Sequence, residues 1–258
     1  MDPETYRNMA ATQDVHWWFR GRRRVLEKML ERCSFPSDAR ILDAGCGTGP
    51  NLGMLQRFGG VWGMEPNDFA LDVARKTAGA IVEFGTLPDR IPFASLEFHL
   101  ITLLDVLSCC EDDGAVIESL SNRLVDGGWL LVTAPAYDFL WSSHDEAQHH
   151  YRRYTILRLR RLMEGAGLRV VFATHFNILL FFPIALVRLF KKMTGLLRGD
   201  DTGALPREWI NRLLYRILAL ESGWIGRSRA LPFGVSLLVM AQRGDRRSSG
   251  RDSDAPKA

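Results

Sequence analysis

A carboxylate and three glycines, Asp43, Gly45, Gly47 and Gly49, follow a short apolar run near the start of the chain. The apolar run is typical of a buried strand, and glycines directly after a strand let the backbone approach a ligand where a side chain would collide. Their G-x-G-x-G spacing departs from the dinucleotide fingerprint G-x-G-x-x-G, whose third glycine would occupy the position of Pro50. The sequence therefore predicts a cofactor site at this turn.

A second carboxylate, Glu65, lies twenty-two positions after Asp43, at the end of the next apolar run. An acidic side chain at the end of the second strand of a nucleotide-binding sheet accepts hydrogen bonds from ribose hydroxyls. In a competing interpretation, Glu65 only stabilises the N-terminus of the helix that begins at Asp68. We favour the ribose, because the glycine turn and this carboxylate occur together at the expected spacing.

A segment rich in histidine, arginine and aromatic residues follows the fifth predicted strand, at residues 135–154. Its histidines, which include His150, offer a choice of general base, and we take His144, His149 and Asp145 as the candidate catalytic residues. In a structural interpretation, Asp145 instead pairs with a neighbouring arginine and fixes the loop. The other residues that would form acceptor walls or bind an anion are Tyr137, Trp141, Tyr151, Arg152, Arg153 and Tyr154.

The same histidines raise the question of a metal site. His144 and Asp145 together with His149 or His150 supply two imidazoles and a carboxylate. Adjacent histidine and aspartate side chains do not easily aim at one ion, and no cysteine cluster adds ligands. We therefore predict that the protein has no metal centre.

The glycine turn resembles motif I of the class I S-adenosylmethionine-dependent methyltransferases, in which D-x-G-x-G-x-G follows the first strand of a Rossmann-like sheet. The resemblance covers roughly residues 40 to 135. It implies S-adenosylmethionine as the cofactor. Asp43 would bind its methionine amino group through a charge-assisted hydrogen bond, and the backbone at Gly45 and Gly47 would lie against it.

The same resemblance implies further cofactor-binding residues. The loop after the third strand is similar to the adenine-side loop of the family, although Thr86 stands where the family often has an aspartate. Leu104 and Asp105 resemble the family's motif beside the methionine part of the cofactor. The full set of expected cofactor-binding residues is Arg20, Asp43, Gly45, Cys46, Gly47, Gly49, Glu65, Pro66, Thr86, Leu87, Leu104 and Asp105.

Two further motifs resemble those of a bacterial subgroup of these methyltransferases. Residues 16–23, His-Trp-Trp-Phe-Arg-Gly-Arg-Arg, are similar to its H-W-W-F-x-x-R-R motif, and residues 140–154 are similar to its L-W-S-x-H-D and H-x-R-R-Y motifs. Members of the subgroup are often found among polysaccharide and lipid-linked biosynthetic enzymes. The resemblance implies a helical lid over the cofactor, with Arg20 at the methionine carboxylate. In a competing interpretation, the segment is a hydrophobic lid with solvated arginines.

Strand-like and helix-like runs alternate along the chain, which favours a parallel sheet with helices on both faces. We predict an α/β fold with a Rossmann-like, mostly parallel sheet of seven strands. About sixty residues separate the last two strands, so a helical insertion is predicted at 176–232. The predicted organisation is an N-terminal helical lid at 1–36, a main domain at 37–243 and a disordered tail at 244–258.

The composition argues against several classes of function. A net charge of +3 over 258 residues does not demand a polyanionic partner, so we predict no nucleic-acid ligand. The cysteines form no C-x-x-C pair and the N-terminus does not resemble a secretory signal, which favours a cytoplasmic protein. The longest apolar run, residues 178–187, is about ten residues, half of what is needed to cross a bilayer.

The insertion contains a predicted apolar helix over residues 177–197, kinked at Pro183 and carrying Arg188, Lys191 and Lys192. Such a helix can lie in the interface of an anionic membrane, or pack against a partner subunit or the domain itself. We expect residues 177–198 to make peripheral membrane contact that brings the protein to a lipid-linked acceptor. The sequence does not set the oligomeric state.

These features favour S-adenosylmethionine-dependent transfer of a methyl group to a hydroxyl or amine of a small-molecule, lipid-linked or sugar-linked acceptor. The reaction is an in-line displacement at the sulfonium methyl, for which the protein mainly supplies alignment. Two alternatives remain open. One is a non-catalytic nucleotide- or lipid-binding module of the same fold, and the other is a C-methyltransferase acting on a quinol-like or isoprenoid-like acceptor. Pro50 argues against a dehydrogenase.

Overall fold

The computed structural model describes residues 3–77, 79–194 and 205–244. The predicted disordered tail falls outside these ranges from residue 245 onward. The strands are β1 (Arg40–Ala44), β2 (Gly60–Glu65), β3 (Ala80–Phe84), β4 (Phe98–Leu104), β5 (Leu124–Pro135), β6 (Leu168–Phe176) and β7 (Ser236–Arg243). The helices are α1 (Pro3–Thr12), α2 (Trp17–Leu30), α3 (Leu52–Leu55), α4 (Asp68–Ala74), α5 (Asp113–Ser121), α6 (Ser143–Ala147), α7 (Ile156–Gly165), α8 (Phe181–Thr194) and α9 (Glu208–Ile225).

Within the described residues, the seven strands form one sheet in the order β3-β2-β1-β4-β5-β7-β6. Neighbours among β1 to β5 pair in parallel, and β7 runs antiparallel to both β5 and β6. The predicted α/β, Rossmann-like and mostly parallel sheet is confirmed. Because parallel strands end at the same edge of a sheet, the residues that follow β1, β2 and β4 lie along one edge.

The sheet is buried on both faces, which explains why its central strands are continuously apolar. Successive residues of a strand point to opposite faces, so Leu42 and Ile101 belong to one hydrophobic cluster while Ile41 and Leu100 belong to another. Helices α5 and α7 contribute to the first cluster, and α2, α3, α4 and α9 contribute to the second. Helices therefore cover both faces.

Helix α3 is a single turn, because the backbone bonds tighten from Gln56–Leu52 to the i−3 pattern of Arg57–Met54. The kink expected at Pro183 is wrong. Pro183 is the third residue of α8, in the first turn, where its missing N–H would have no intrahelical acceptor.

The insertion is tied to the rest of the domain through α9, which packs along α2. Asn211 accepts a hydrogen bond from the Trp17 backbone N–H (2.8 Å) and donates one to the Val15 carbonyl (2.8 Å). Farther along, a Cβ on Gly21 would lie only 2.5 Å from Leu218 Cδ2. The two helices therefore approach closely and run in the same direction. No helix in the described ranges is long and apolar enough to span a membrane.

We expect Gly21→Ala to lower the free energy of unfolding by about 1–3 kcal/mol, because the added methyl would overlap Leu218 Cδ2 and Cγ (2.5 and 2.8 Å from the ideal Cβ position). Gly165→Ala is the matched control at the end of α7, where an added Cβ would meet no atom within 4 Å. Urea denaturation of both variants measures the effect. Equal midpoints for the two variants would contradict the close α2–α9 approach.

Candidate active site

The glycine turn links β1 to α3 at the carboxyl edge of the sheet. Gly45 and Gly47 have φ angles of 75° and 56°, in the left-handed region that favours glycine. A Cβ on Gly45 would lie 2.7 Å from Val106 Cγ2, whereas a Cβ on Gly47 would meet no atom within 4 Å. Gly45 is thus required by close packing against the segment after β4. The backbone at Gly47 leaves an open surface against which a ligand can lie.

Glu65 is buried at the end of β2, and both of its carboxylate oxygens accept hydrogen bonds from backbone N–H groups. Its Oε2 accepts a hydrogen bond from the Gly47 N–H (2.9 Å), and its Oε1 accepts one from the Asn67 N–H (3.1 Å). Burial raises the pKa of Glu65, and these hydrogen bonds oppose the shift. Glu65 therefore lies beside the glycine turn, as a ribose ligand would. It also binds the N-cap residue of α4, as the competing interpretation expects.

Asp43 has one carboxylate oxygen that lacks a partner. The residue is 1% exposed, and its Oδ1 accepts a hydrogen bond from Thr102 Oγ1 (2.7 Å). Its Oδ2 is buried without a hydrogen-bond partner among the described residues. Burial raises the pKa of Asp43 to about 6. Because an unpartnered buried oxygen is costly, an ammonium donor here would be stabilised, so Asp43 fits the methionine amino group of the expected cofactor.

Arg22 of α2 faces this edge of the sheet. Its buried guanidinium forms an ion pair with Asp105, the residue directly after β4. The same aspartate accepts a hydrogen bond from Thr133 Oγ1 (3.2 Å) and has an unusual φ of 62°. The positive charge of Arg22 also opposes the rise in the Asp43 pKa. Arg22 therefore links α2 to two of the expected cofactor-binding positions, Asp105 through an ion pair and Asp43 through its charge.

Arg20, which was expected at the methionine carboxylate, lies elsewhere. Its guanidinium stacks on the Tyr215 ring of α9, with Cζ 4.5 Å from the ring centroid. Residues two apart on a helix point to nearly opposite sides, so Arg20 and Arg22 cannot face the same site. Arg22, and not Arg20, is therefore the one of these two that lies beside the strand ends. The H-W-W-F-x-x-R-R motif contained the signal, because its paired arginines are residues 22 and 23 and Arg20 occupies an x position.

Helix α1 lies over the glycine turn and touches the same carboxylate that the ribose would use. Tyr6 donates a hydrogen bond to Glu65 Oε1 (3.1 Å), and Thr48 Oγ1 donates one to Gln13 Oε1. Burial and the nearby Glu65 raise the pKa of Tyr6, so it remains a hydroxyl donor. A ribose hydroxyl at this oxygen must share it with Tyr6 or displace it. The polar sequence of α1 gave no periodic signal for this contact.

The remaining expected cofactor residues lie around the same strand ends. Thr86 pairs with Arg90 through two backbone hydrogen bonds of 2.9 Å, which closes the loop after β3. Leu87 is partly buried against the core, and Leu104 is buried at the end of β4. Cys46 is buried and its pKa is raised by burial, so its thiol is protonated and unreactive. Pro66 is exposed directly after Glu65, and Gly49 completes the turn with a φ of 82°.

Asp145 organises the histidine-rich loop. It is 0% exposed and binds Arg153 in a bidentate pair, with Oδ1–Nε 2.9 Å and Oδ2–Nη2 2.8 Å. Its Oδ2 also accepts a hydrogen bond from the Ser142 N–H (2.8 Å). Burial alone would raise the pKa of Asp145, but hydrogen bonds from His150 and Arg153 and the arginine charge lower it well below its usual value. This geometry matches the structural interpretation, in which Asp145 pairs with a neighbouring arginine and fixes the loop.

The three histidines of the loop have different surroundings. His144 Nε2 lies 3.0 Å from Gln148 Nε2, and burial lowers the His144 pKa to about 4. His149 is exposed and has a left-handed φ of 55°. His150 is held by Asp145, with Nδ1 3.0 Å from Oδ1, while its Nε2 is buried without a hydrogen-bond partner among the described residues. His150 is therefore the histidine of the loop with a buried ring nitrogen that lacks a hydrogen-bond partner among the described residues.

The histidine-rich loop packs on the segment that follows the cofactor edge. The Tyr151 N–H donates to the Ser108 carbonyl (2.7 Å), and Cys109 Sγ donates to the Gln148 carbonyl (3.4 Å). Ser108 and Cys109 belong to a short 3-10 turn that begins two residues after Asp105. His150 is therefore carried on a segment adjoining the expected cofactor positions. Within the described ranges, no group of three or more His, Cys, Asp or Glu side chains is placed to hold a metal ion.

The strand order, the glycine turn and the paired carboxylates define a Rossmann-like domain with a nucleoside-type cofactor edge. Residues 18–172 match a family model described as a methyltransferase domain. The match covers more than half of the chain, and the protein belongs to this methyltransferase domain family. No curated protein matches the sequence significantly.

Solved structures share the fold at low sequence identity. A chain in the Haloferax volcanii complex that contains the Trm112 methyltransferase activator has a TM-score of 0.61 and 18% identity, covering 94% of this chain and 95% of that chain. The [4+2]-cyclase SpnF has a TM-score of 0.56 and 16% identity, with 86% and 81% coverage. Phosphoethanolamine N-methyltransferase 2 of Haemonchus contortus, in complex with S-adenosyl-L-methionine, has a TM-score of 0.56 and 15% identity, with 86% and 52% coverage.

We expect Asp145→Ala to lower the free energy of unfolding by about 3–5 kcal/mol, because it leaves the Arg153 guanidinium buried without its partner. Glu146→Ala is the control on the same helix, where the carboxylate is exposed. Thermal unfolding followed by circular dichroism compares the two variants. An Asp145 variant as stable as the Glu146 variant would show that the ion pair does not organise the loop.

Proposed function

We propose that this methyltransferase-family protein uses S-adenosylmethionine to methylate a hydroxyl group of a small-molecule, lipid-linked or sugar-linked acceptor. The observation that carries the proposal is the Asp145–His150 pair, whose buried Nε2 has no partner among the described residues. Family membership and the unpartnered oxygen of Asp43 support the choice of cofactor. Because the [4+2]-cyclase SpnF shares the fold, the proposal rests on the site and not on the fold alone.

Three residues would contact the cofactor, and a fourth would support the site. Asp43 would accept a hydrogen bond from the methionine amino group, Glu65 would accept bonds from the ribose, and the backbone at Gly47 would lie against the ligand. Arg22 keeps Asp105 in its left-handed conformation through their ion pair. When bound, S-adenosylmethionine supplies a sulfonium methyl group with a good leaving group. The remaining task of the protein is to align the acceptor and to remove its proton.

His150 is suited to take that proton. The carboxylate of Asp145 can only accept a hydrogen bond, so the Nδ1 of His150 carries the hydrogen and Nε2 has a free lone pair. The same carboxylate stabilises the imidazolium that forms when Nε2 takes a proton. His144 is less suited, because either orientation of the Gln148 amide occupies its Nε2. An amine acceptor would use the same geometry, with the proton leaving after methyl transfer.

The surroundings of the loop favour an acceptor with an apolar part. Tyr137 stacks on Phe139 with centroids 5.4 Å apart, and Phe181 at the start of α8 packs edge-on against Tyr137 at 6.0 Å. Helix α8 is also joined to this region, since Arg188 donates a hydrogen bond to the Leu140 carbonyl (2.7 Å). An aromatic cluster that includes residues of the same loop as the proposed base binds an isoprenoid or acyl chain more readily than a bare sugar. This supports a lipid-linked acceptor.

We expect His150→Ala to reduce the rate of methyl transfer by about 10²- to 10⁴-fold while leaving cofactor affinity unchanged, because the general base is lost. His144→Ala is the matched control and should cost less than about tenfold. Transfer of a labelled methyl group to polyprenol, quinol and sugar acceptors measures the rate. Added imidazole should partly restore the His150 variant.

If the His150 and His144 variants keep the wild-type rate, the assignment of the base is wrong. If the wild-type protein binds cofactor but transfers no label to any acceptor class, the non-catalytic alternative gains support instead.

We expect the affinity for S-adenosylhomocysteine to fall about tenfold between pH 7 and pH 5, because Asp43 takes up a proton as the pH falls through about 6 and no longer attracts the ammonium group. Asp43→Asn should bind weakly at both pH values and lose this part of the pH dependence. Calorimetric titration at several pH values tests the expectation, and identical pH profiles for the two proteins would refute it.

A further inference from the structure

Helix α9 exposes a stripe of large apolar side chains. Trp209, Leu213, Leu220 and Trp224 are 63%, 49%, 69% and 55% exposed. Their spacing of four, seven and four residues places them on one side of the helix. Leu218, on the opposite side, is fully buried against α2. Helix α9 is therefore apolar on two sides, and no described element covers the outer one.

A basic groove lies beside this stripe, between α2 and α9. The groove has a volume of about 990 Å³, and Leu220 belongs both to its lining and to the apolar stripe, so the two form one continuous surface. One carboxylate, Glu27, lines the groove. The cationic lining residues are Arg20, Arg23, Arg24, Lys28 and Arg216.

The ion pairs of the groove leave part of its charge unneutralised. Glu27 is paired with Arg24 (2.8 Å) and with Arg57, which lies outside the groove lining. Lys28 is paired with Glu31 (2.5 Å).

The other cations of the groove have weaker or no carboxylate partners. Arg23 lies 3.8 Å from the exposed Asp14. Arg20 faces an aromatic ring. The exposed Arg216 guanidinium makes no ion pair or hydrogen bond with any residue in the described ranges. The groove therefore presents an excess of positive charge next to the exposed tryptophans and leucines.

We propose that the stripe and groove together form a docking surface for an anionic lipid bilayer. Tryptophan and leucine on one side of a helix, with arginine and lysine beside them, match a layer whose interior is apolar and whose surface is negative. A second copy of the chain fits poorly, because the cationic grooves of two copies would face each other. A nucleic acid would leave the apolar stripe in water.

Helix α8 lies within residues 177–198, the segment that the sequence predicts to contact a membrane, and it adds to the same apolar surface. The carboxylate of Glu221 in α9 accepts hydrogen bonds from the backbone N–H groups of Ile178 and Leu179, both 3.1 Å, just before α8 begins. Helix α8 itself exposes Phe182 and Leu186, at 65% and 69%. The insertion thus presents apolar surface from two helices that are joined at Glu221. The proposal goes beyond methyl transfer and does not depend on it.

Vesicle flotation of the full chain without cofactor or acceptor tests the proposal. We expect the protein to float with vesicles containing about one-quarter phosphatidylglycerol in phosphatidylcholine, and not with phosphatidylcholine alone. Binding should weaken as salt rises from about 0.05 M to about 0.5 M, because the groove charge is screened.

Two variants separate the apolar and cationic contributions. Trp209→Ala with Trp224→Ala should reduce the vesicle-bound fraction at least about fivefold, and Arg216→Glu should weaken binding and reduce its salt dependence. The matched control carries Leu157→Ala and Arg160→Glu on α7, where Leu157 is 55% exposed, and should bind like the wild type. Unfolding midpoints confirm that all variants are folded.

Four results would overturn the proposal. The protein could stay in the soluble fraction, or bind neutral and anionic vesicles equally. The stripe and groove variants could bind as well as the α7 control. Sedimentation could show concentration-dependent dimers that the tryptophan substitutions abolish, which would assign this surface to a second copy. None of these results bears on the rate of methyl transfer, so the two proposals fail separately.

Discussion

A buried carboxylate needs hydrogen-bond donors or positive charge around it, and this requirement assembles the carboxyl edge of the sheet. Glu65 accepts hydrogen bonds from the backbone of the glycine turn and from the hydroxyl of Tyr6. Asp105 forms an ion pair with Arg22 of α2. Asp145 binds Arg153 and His150 and so fixes the loop after β5. Segments far apart in sequence meet here because each carboxylate needs a partner. Of these four carboxylates, Asp43 alone has a buried oxygen without a hydrogen-bond partner among the described residues.

The order of strands and helices could be predicted because it depends on local patterns. Apolar runs separated by turns predict the positions of strands such as Ala80–Phe84 and Phe98–Leu104. Because crossover connections join successive strands, these strands are expected to pair in parallel with their neighbours. The choice between Arg20 and Arg22 could not be made in the same way. Both are arginines on one helix, and which one faces the sheet depends on where α9 packs, a contact between residues almost two hundred positions apart.

The same limit applies to the histidines. His144, His149 and His150 lie within seven residues, and sequence spacing does not show which ring nitrogen is left free. That outcome depends on the orientation of Asp145, which is set by Arg153 and by the Ser142 backbone. Tyr6 was beyond prediction for a different reason. Its helix is polar and carries little periodic signal, and its position is fixed by one hydroxyl meeting a distant carboxylate.

The hydrogen bond between Tyr6 and Glu65 couples the N-terminal helix to the cofactor edge. If a ribose displaces the tyrosine hydroxyl, part of the binding free energy is used to release α1. Any interaction that stabilises the docked α1 then lowers the affinity for the ligand by the same free energy. If the two share the oxygen, docking of α1 strengthens binding instead. In both cases, a change in how firmly α1 docks alters cofactor affinity without touching the cofactor. Helix α1 is therefore a place from which cofactor affinity can be set outside the glycine turn.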